Sequence, residues 1–328
     1  MAESPLEIAF LDVGQGDSIV ITLPDTKSAI IIDTPNTMVT ERFLEQKDIE
    51  VIERVFISHS HSDHSRGVVN LIQGLVKSGV QVRGITYLLD KMKSNALLFS
   101  KLLKQIVAFA DEGIELGLAY KGSAFVYGPL KISILFPDYR YHTLAVATGR
   151  VNLSSVVLLL ECYNSKVLLG SDLETDGWRY LFADGTDLTA TILKYPHHGA
   201  DLVDDNGKSI CGNLLTAVSP EYVVISAGTG NSHHHPSKGT IHALQKAPFK
   251  PKVFCTQATT LCSKDINKLS EKTFALTSGV SDVGLYANYG KGCVCGGTIL
   301  FHITRSGIIV EPNEVIHEKV KSLFNNPC

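Results

Sequence analysis

Long hydrophobic runs and an excess of charge of one sign are both missing from this sequence. No apolar stretch reaches the ~20 residues that cross a bilayer, and residues 1–5 lack the charged-then-apolar pattern of a secretory signal. Lys and Arg total 30 against 33 Asp and Glu, a formal net charge of −3, which excludes a bulk polycation. We therefore expect a soluble, cytoplasmic protein without a membrane span, in which any nucleic-acid contact comes from a local patch.

Cysteine is also scarce, with an odd total of seven unevenly spread along the chain. In a reducing compartment we expect such cysteines to be free thiols or metal ligands in preference to disulfides. Four of them fall on neighbouring segments and predict a structural zinc site with four thiolate ligands, namely Cys255, Cys262, Cys293 and Cys295. Their spacing, C-x6-C and then C-x-C, is not that of a standard zinc ribbon. Four ordinary thiols, or a disulfide, stay open as the alternative.

A substantial core is available, since 44% of the 328 residues are hydrophobic. That length allows one large domain or two modest ones, and we find no internal repeat, low-complexity run or clear linker. Short apolar runs bounded by turn residues predict many strands, interspersed with segments of helical period. We expect residues 137–151 to be irregular.

Four potential metal ligands follow one of these predicted strands. The apolar residues 55–57 lead into the sequence SHSHSDH, which ends at His64. In residues 68–75 the apolar side chains then recur at the spacing of a helix. A strand-to-helix junction holds side chains rigidly and leaves them open to solvent, as a catalytic metal requires. A polar loop would explain a lone histidine. The H-x-H-x-D-H spacing instead predicts ligands for zinc, manganese or iron, with two metals side by side.

This motif resembles the one that defines the metallo-β-lactamase superfamily. The opening stretch, LDVGQGDSIVITLPDTKSAIIIDT, resembles the metallo-β-lactamase domain of the ComEC family of competence DNA-uptake proteins. The resemblance covers residues 7–256, resumes near 296, and implies an α/β fold that is a four-layer αββα sandwich with the metals at one edge. We expect one domain over residues 1–328, with a cysteine-containing insertion at about 257–295 before a closing hairpin and a C-terminal helix.

The resemblance implies roles for three residues outside the motif. Asp33 ends the third predicted strand and would lie beneath the metals, orienting a ligand. Asp172 resembles the family's metal-bridging aspartate, although it could instead cap the helix that begins near Glu174. The superfamily's third-motif histidine is absent, and Asn152 or water would complete that metal's shell. A site with fewer imidazole ligands favours the binding of manganese.

Two later motifs supply further histidines. The sequence LKYPHHGA resembles the family's H-H-G motif, in which we favour His198 as the ligand and His197 as the accessory that donates a proton to the leaving group. The reverse assignment stays open. Residues 226–236 resemble the family's S-x-G-x-x-N-x-x-x-H-P and place His235 on its histidine. Lys194 could contact a phosphate, because a buried lysine without a partner is costly.

Together these residues predict a hydrolase that uses two divalent ions, zinc or manganese, and a bridging hydroxide. The predicted ligands are His59, His61, Asp63, His64, Asp172, His198 and His235, and the predicted catalytic residues are Asp63, Asp172, His197 and Lys194. Resemblance to the ComEC nuclease domain makes DNA, in particular single-stranded DNA, the first choice of substrate. The alternatives are a small phosphodiester, such as a cyclic nucleotide or a phosphocholine ester, and a non-catalytic metal-binding interaction protein.

Overall fold

The structure, a computed structural model, describes residues 4–88, 96–263, 266 and 293–322. Its strands are β1 (Leu6–Phe10), β2 (Ile19–Thr22), β3 (Ser28–Ile32), β4 (Val51–Ile57), β5 (Gln81–Val82), β6 (Gly84–Tyr87), β7 (Glu115–Leu118), β8 (Ala124–Tyr127), β9 (Leu130–Phe136), β10 (Val157–Cys162), β11 (Ser165–Leu169), β12 (Ile192–Lys194), β13 (Tyr222–Ile225), β14 (Lys252–Cys255), β15 (Gln257–Ala258), β16 (Cys293–Val294), β17 (Ile299–Thr304) and β18 (Gly307–Glu311). Its α-helices are α1 (Thr37–Gln46), α2 (Ser62–Ser65), α3 (Val68–Lys77), α4 (Ala96–Asp111), α5 (Tyr139–Thr148), α6 (Thr175–Ala183), α7 (Cys211–Val218), α8 (Lys238–Lys246) and α9 (Glu314–Lys321). Short 3₁₀ turns cover Val151–Ser154 and His197–Gly199.

The first sheet has the strand order β18-β17-β1-β2-β3-β4-β6-β7, and β5 also pairs with β4. Strands β3, β4, β5, β6 and β7 run parallel to one another, whereas the remaining strand pairs of this sheet are antiparallel. In the β3–β4 register Ile32 lies opposite Phe56. The residues that follow these two strands, Asp33 and Ser58, therefore emerge at the same edge of the sheet.

The second sheet has the order β14-β13-β12-β11-β10-β9-β8. Its parallel part pairs Leu169 of β11 with Lys194 of β12, and Lys194 with Val224 of β13. Because the carboxyl ends of parallel strands meet at one edge, the loops after β11, β12 and β13 share that edge. These loops carry the remaining predicted site residues.

Three hydrophobic clusters show how the layers stack. One lies between the two sheets and includes Phe10, Phe56, Leu158 and Val224. A second packs α1, α3 and α4 on the outer face of the first sheet, through residues that include Phe43, Leu71 and Ile106. A third packs α6, α7 and α8 on the second sheet, through Trp178, Leu214 and Leu244. The arrangement is the predicted αββα sandwich.

Residues 137–151 are not irregular as predicted, because α5 occupies most of them. Asp138 caps this helix by accepting a 2.8 Å hydrogen bond from the Tyr141 backbone, and Gly149 ends it at a φ of 68°. Its side chains are mostly exposed apart from Ala145, so no apolar stripe marks the helix in the sequence. None of the described helices combines the length and the apolarity that a bilayer crossing requires.

Most of the expected insertion at 257–295 lies outside the described residues. Its two ends are described, and there β15 pairs with β16 in an antiparallel ladder. After β16 the chain returns to the first sheet as the β17–β18 hairpin, in which β17 pairs with β1. Helix α9 follows this hairpin.

Candidate metal centre

The loop after β4 directs two imidazoles inward and leaves two polar side chains at the rim. The strand ends at Ile57, and the chain then folds into the single turn of α2, whose His64 backbone donates to the His61 carbonyl at 3.1 Å. His59 and His64 are fully buried, with ring centroids 4.2 Å apart. His61 and Asp63 are half-buried. The loop therefore combines a closed interior with an open edge.

Asp33 holds this loop through three hydrogen bonds. It accepts from the Ser58 backbone at 2.8 Å, from the Ser58 hydroxyl and, at 2.7 Å, from His64 Nδ1. A proton on Nδ1 leaves Nε2 of His64 to face away from Asp33, where it lies 3.3 Å from Asp172 Oδ1. The carboxylate beneath the loop thus orients the ring of His64 toward the second sheet.

Asp172 occupies the centre of the cluster. It follows β11, is 2% exposed, and approaches imidazoles with both oxygens. Its Oδ1 lies 3.6 Å from His198 Nε2 in addition to the contact with His64, and its Oδ2 lies 3.6 Å from His59 Nε2. The residue at the N-cap of α6 is Glu174, so Asp172 does not cap that helix.

The paired histidines after β12 point in different directions, because both adopt left-handed backbone conformations, with φ of 49° at His197 and 53° at His198. His198 is buried and donates from Nδ1 to the Ser226 carbonyl at 3.0 Å. Its Nε2 then faces the cluster, 3.5 Å from Asp63 Oδ2. His197 stays partly exposed, with Nε2 3.9 Å from Asp172 Oδ2.

His235 lies beside this pair rather than inside the cluster. Asn231 fixes its backbone, accepting from His235 N at 2.7 Å and donating to its carbonyl at 2.8 Å. The His235 ring centroid is 5.5 Å from that of His197. Burial, and then the neighbouring His197 and His198, lower the pKa of His235 to about 4, which keeps its imidazole neutral at pH 7.

Three overlapping sets of side chains have the chemistry and the spacing to hold a metal ion. Within each set the ligand atoms lie within 4.8 Å of one another; among the described residues the sets are His59–His64–Asp172, Asp63–His64–His198 and Asp17–Asp172–His198. His64, His198 and Asp172 each belong to two sets. The predicted ligands His61 and His235 belong to none of them.

The buried carboxylates and imidazoles of the cluster shift one another's pKa values. Burial opposes protonation of His64, but Asp172 and Asp33 outweigh it and raise the pKa of His64 well above its ordinary value. Burial would raise the pKa of Asp172, but His64 and His198 hold it well below its usual range. Burial, reinforced by His64, lowers the pKa of His59, so that this imidazole is neutral and able to act as a ligand.

The prediction that Lys194 contacts a phosphate is wrong. Its side chain is fully buried at the end of β12, where Nζ donates to Asp17 Oδ2 at 2.8 Å and to the Tyr195 carbonyl at 3.3 Å. A buried lysine is acceptable here because it has an anionic partner. Asp17 lies 177 positions away along the chain, so sequence spacing does not reveal the pair.

Asp17 itself received no role in the sequence analysis. It ends the sequence GQGD between β1 and β2, a turn that comes close to the metal-ligand loop. A carboxylate directly after a glycine turn at a strand boundary is the signal that could have identified it. Its 2% exposure and its place in one of the three sets bring it into the candidate site.

The other predicted residues take less central positions. Asn152 is buried and donates from Nδ2 to Glu174 Oε1 at 3.1 Å. It belongs to none of the three sets that the described residues form, and its role stays a prediction.

The four-cysteine zinc site also stays a prediction, because the side chain of Cys293 lies outside the described residues. Cys255, Cys262 and Cys295 are buried in one hydrophobic cluster. Sγ of Cys295 lies 3.6 Å from Nε2 of His317, a neighbour that the sequence did not suggest.

Comparison with known proteins agrees with this geometry. The family model of the metallo-beta-lactamase superfamily matches residues 11–88, which contain the whole loop after β4. ComE operon protein 3 of Bacillus subtilis (strain 168) is 25% identical over 261 residues, which are 73% of this chain and 30% of that protein. Residues 11–88 of this chain are thus similar to a metallo-β-lactamase superfamily domain. Competence protein ComA of Neisseria gonorrhoeae is 35% identical over 100 residues, 30% of this chain and 14% of that protein.

The metallo-β-lactamase fold also appears among solved structures similar to this chain. One is the metallo-beta-lactamase fold protein YhfI of Bacillus subtilis, which is 11% identical with a TM-score of 0.47, covering 76% of this chain and 96% of that one. The chain spans less than a third of each of the two curated competence proteins that it matches.

Proposed function

We propose that this metallo-β-lactamase domain is a hydrolase that uses two divalent metal ions to cleave phosphodiesters, with DNA as its substrate. The observation that carries the proposal is the sharing of ligands among the three sets. None of the three sets that the described residues form contains all six residues, so a single ion would leave some of the ligand atoms of the cluster unused. Two neighbouring ions that share a carboxylate would use them all.

The residues present fit such a pair of ions. Oδ1 of Asp172 is buried and makes no hydrogen bond to any described residue, although imidazole nitrogens lie 3.3 and 3.6 Å away. A buried carboxylate oxygen without a partner costs about 1–3 kcal/mol or more. A cation would remove that cost. Mixed imidazole and carboxylate ligands suit zinc or manganese.

The protein's own residues would orient the substrate and move the protons. When bound, two divalent ions lower the pKa of water toward neutrality and stabilise the charge of a reacting phosphate. His197 lies at the rim with a partly exposed ring, 3.9 Å from Asp172, and in this proposal it would donate a proton from Nε2 to a leaving oxygen. Asp33 keeps His64 oriented throughout, because all three of its donors lie beneath the cluster.

Two findings support DNA as the substrate. The chain is similar to two competence proteins, and the cluster is bordered by the half-buried side chains of His61, Asp63 and His235. A site of this kind is accessible from one edge of the sandwich, as a polymer requires. The net charge of −3 means that phosphate contacts would come from the surroundings of the site and not from the whole surface.

The test is cleavage of labelled single- and double-stranded DNA and of bis-p-nitrophenyl phosphate, with manganese, zinc or EDTA. We expect metal-dependent cleavage of DNA and its loss in EDTA. Asp172→Asn should lower the rate by more than the 10–100-fold typical of residues that only orient ligands. Asp176→Asn is the matched control, since the side chain of Asp176 on α6 is 43% exposed and pairs only with Arg150 among the described residues.

The outcomes separate the candidate functions. DNA cleavage that persists in Asp172→Asn would reject this catalytic site. Cleavage of bis-p-nitrophenyl phosphate without cleavage of DNA would favour a small phosphodiester as the substrate. Metal binding without turnover of any of these substrates would indicate a metal-binding interaction protein.

A further inference from the structure

Asp17 and Lys194 form a buried ion pair next to the candidate metal centre. Nζ of Lys194 lies 2.8 Å from Oδ2 of Asp17, and the two side chains are 0% and 3% exposed. The other carboxylate oxygen, Oδ1, is buried and makes no hydrogen bond to any described residue. It lies 3.7 Å from Nδ1 of His198, whose proton is directed at the Ser226 carbonyl. The ion pair therefore satisfies one oxygen of Asp17 and leaves the other free.

The turn that carries Asp17 is built to approach the metal-ligand loop closely. The Asp17 backbone donates to the Asp63 carbonyl at 3.1 Å. Gly16 precedes it at a φ of 129°, and a Cβ at this position would lie 2.2 Å from the same carbonyl oxygen. Only glycine allows this contact. On its other side the turn touches the loop after β13, since a Cβ on Gly228 would lie 2.6 Å from the Gln15 nitrogen.

From these contacts we infer that Asp17 is a ligand of the ion on the Asp172–His198 side, and that Lys194 is a positioning residue that directs its free oxygen there. A purely structural ion pair would be expected to satisfy both carboxylate oxygens, because an unpaired buried oxygen is costly. The assignment also compensates for the missing third-motif histidine, where Asn152 instead donates to Glu174. It rests on the proposed metal centre but not on the proposed substrate.

Metal binding by the purified chain, stripped with a chelator and dialysed against Mn²⁺ alone, tests the inference without any activity assay. We expect two ions per chain in the unmodified protein. Asp17→Asn should lose one ion or bind it at least tenfold more weakly, and Lys194→Met should weaken the same ion about 10–100-fold. Asp12→Asn is the control. Asp12 is a buried carboxylate from the same turn that belongs to none of the three sets, and burial raises its pKa to about 7.

Circular dichroism of the metal-free variants shows whether they fold. A folded Asp17→Asn variant that binds both ions like the unmodified chain would overturn the inference and leave the proposed function intact. An unmodified chain that binds no metal would instead reject the proposed function. If Asp17→Asn does not fold, a crystal structure of the unmodified chain with zinc tests whether Asp17 is a ligand of the ion. Oδ1 of Asp17 should lie about 2.0–2.2 Å from an ion, and an oxygen outside the coordination shell would overturn the assignment.

Discussion

Single residues in this chain act by fixing the direction of a neighbour. Asp33 accepts three hydrogen bonds with a left-handed backbone, at a φ of 58°, and so sets which nitrogen of His64 faces the cluster. The Ser226 carbonyl does the same for His198 by accepting from Nδ1. In both rings Nε2 is the nitrogen that is left for a metal.

Asp33→Asn should therefore weaken metal binding about 10–100-fold without unfolding the protein, because an amide tolerates the left-handed backbone but cannot accept from all three donors. Isothermal titration of the metal-free protein with Zn²⁺ measures the effect. Asp48→Asn is the matched control, since Asp48 has a similar φ of 52° but an exposed side chain paired with Lys27. Equal affinities in the two variants would contradict an orienting role for Asp33.

At the scale of elements, the loops between strands decide how the two sheets approach each other at the site. The turn between β1 and β2 touches the metal-ligand loop of the first sheet at Asp63 and the loop after β13 at Gly228. Both contacts are made by backbone atoms at glycines. The separation of these loops is therefore set by backbone contact and does not depend on flexible side chains.

Gly16→Ala should push this turn away from Asp63 and destabilise the protein by about 2 kcal/mol or more, since both the clash and the φ of 129° oppose a side chain. Gly14→Ala provides the comparison. Gly14 has a φ of 80° but nothing within 4 Å of an added Cβ, so only backbone strain of about 1 kcal/mol is expected. Urea unfolding of the two variants checks the order, and an equal loss in both would show that the close approach is unimportant.

At the scale of the whole molecule, buried charges connect the two halves of the sandwich. Arg54 of β4 donates to Thr86 of β6 at 3.0 Å and to Glu115 of β7 at 2.9 Å, both in the first sheet. The same guanidinium donates to Tyr127 of β8, in the second sheet, at 3.0 Å, and lies over the Phe125 ring at 4.6 Å. A planar group with several donors is suited to join four strands in this way.

Arg54→Met should lower the free energy of unfolding by about 3 kcal/mol, because it leaves the buried Thr86 hydroxyl and the Tyr127 hydroxyl without this donor. Arg83→Met removes an exposed arginine that pairs with Glu53, and should cost less than about 1 kcal/mol. Denaturant titration of both variants measures the difference. Similar losses would argue that Arg54 acts only as a surface charge.

The metal centre joins loops from both sheets, so its occupancy should stabilise the whole fold. At a free metal concentration 100 times the dissociation constant, binding to the folded state alone stabilises it by about 2.7 kcal/mol. We expect EDTA to lower the Tm of the unmodified chain accordingly and to change the Tm of Asp172→Asn much less. An unchanged Tm of the unmodified chain would contradict metal binding at this site.

The sequence by itself determined the features that depend on near neighbours. The strand-turn-helix pattern around residues 55–77 and the carboxylate at the end of β3 follow from local periodicity and spacing, because residues close in the chain must be close in space. The αββα class was instead implied by the resemblance of the motifs to a known family. Helix α5 was not predicted, because most of its side chains are exposed and its sequence therefore shows no apolar residues at helical spacing.

Only the tertiary structure decided which distant residues meet. The buried partner of Lys194 lies 177 positions before it, and no spacing rule connects the two. The left-handed backbone after β12 and the Ser226 carbonyl direct His198 inward and leave His197 at the rim. The physical reason is that strands from different parts of the chain end at one edge of the sandwich, and this places Asp17 beside Asp172 and His198.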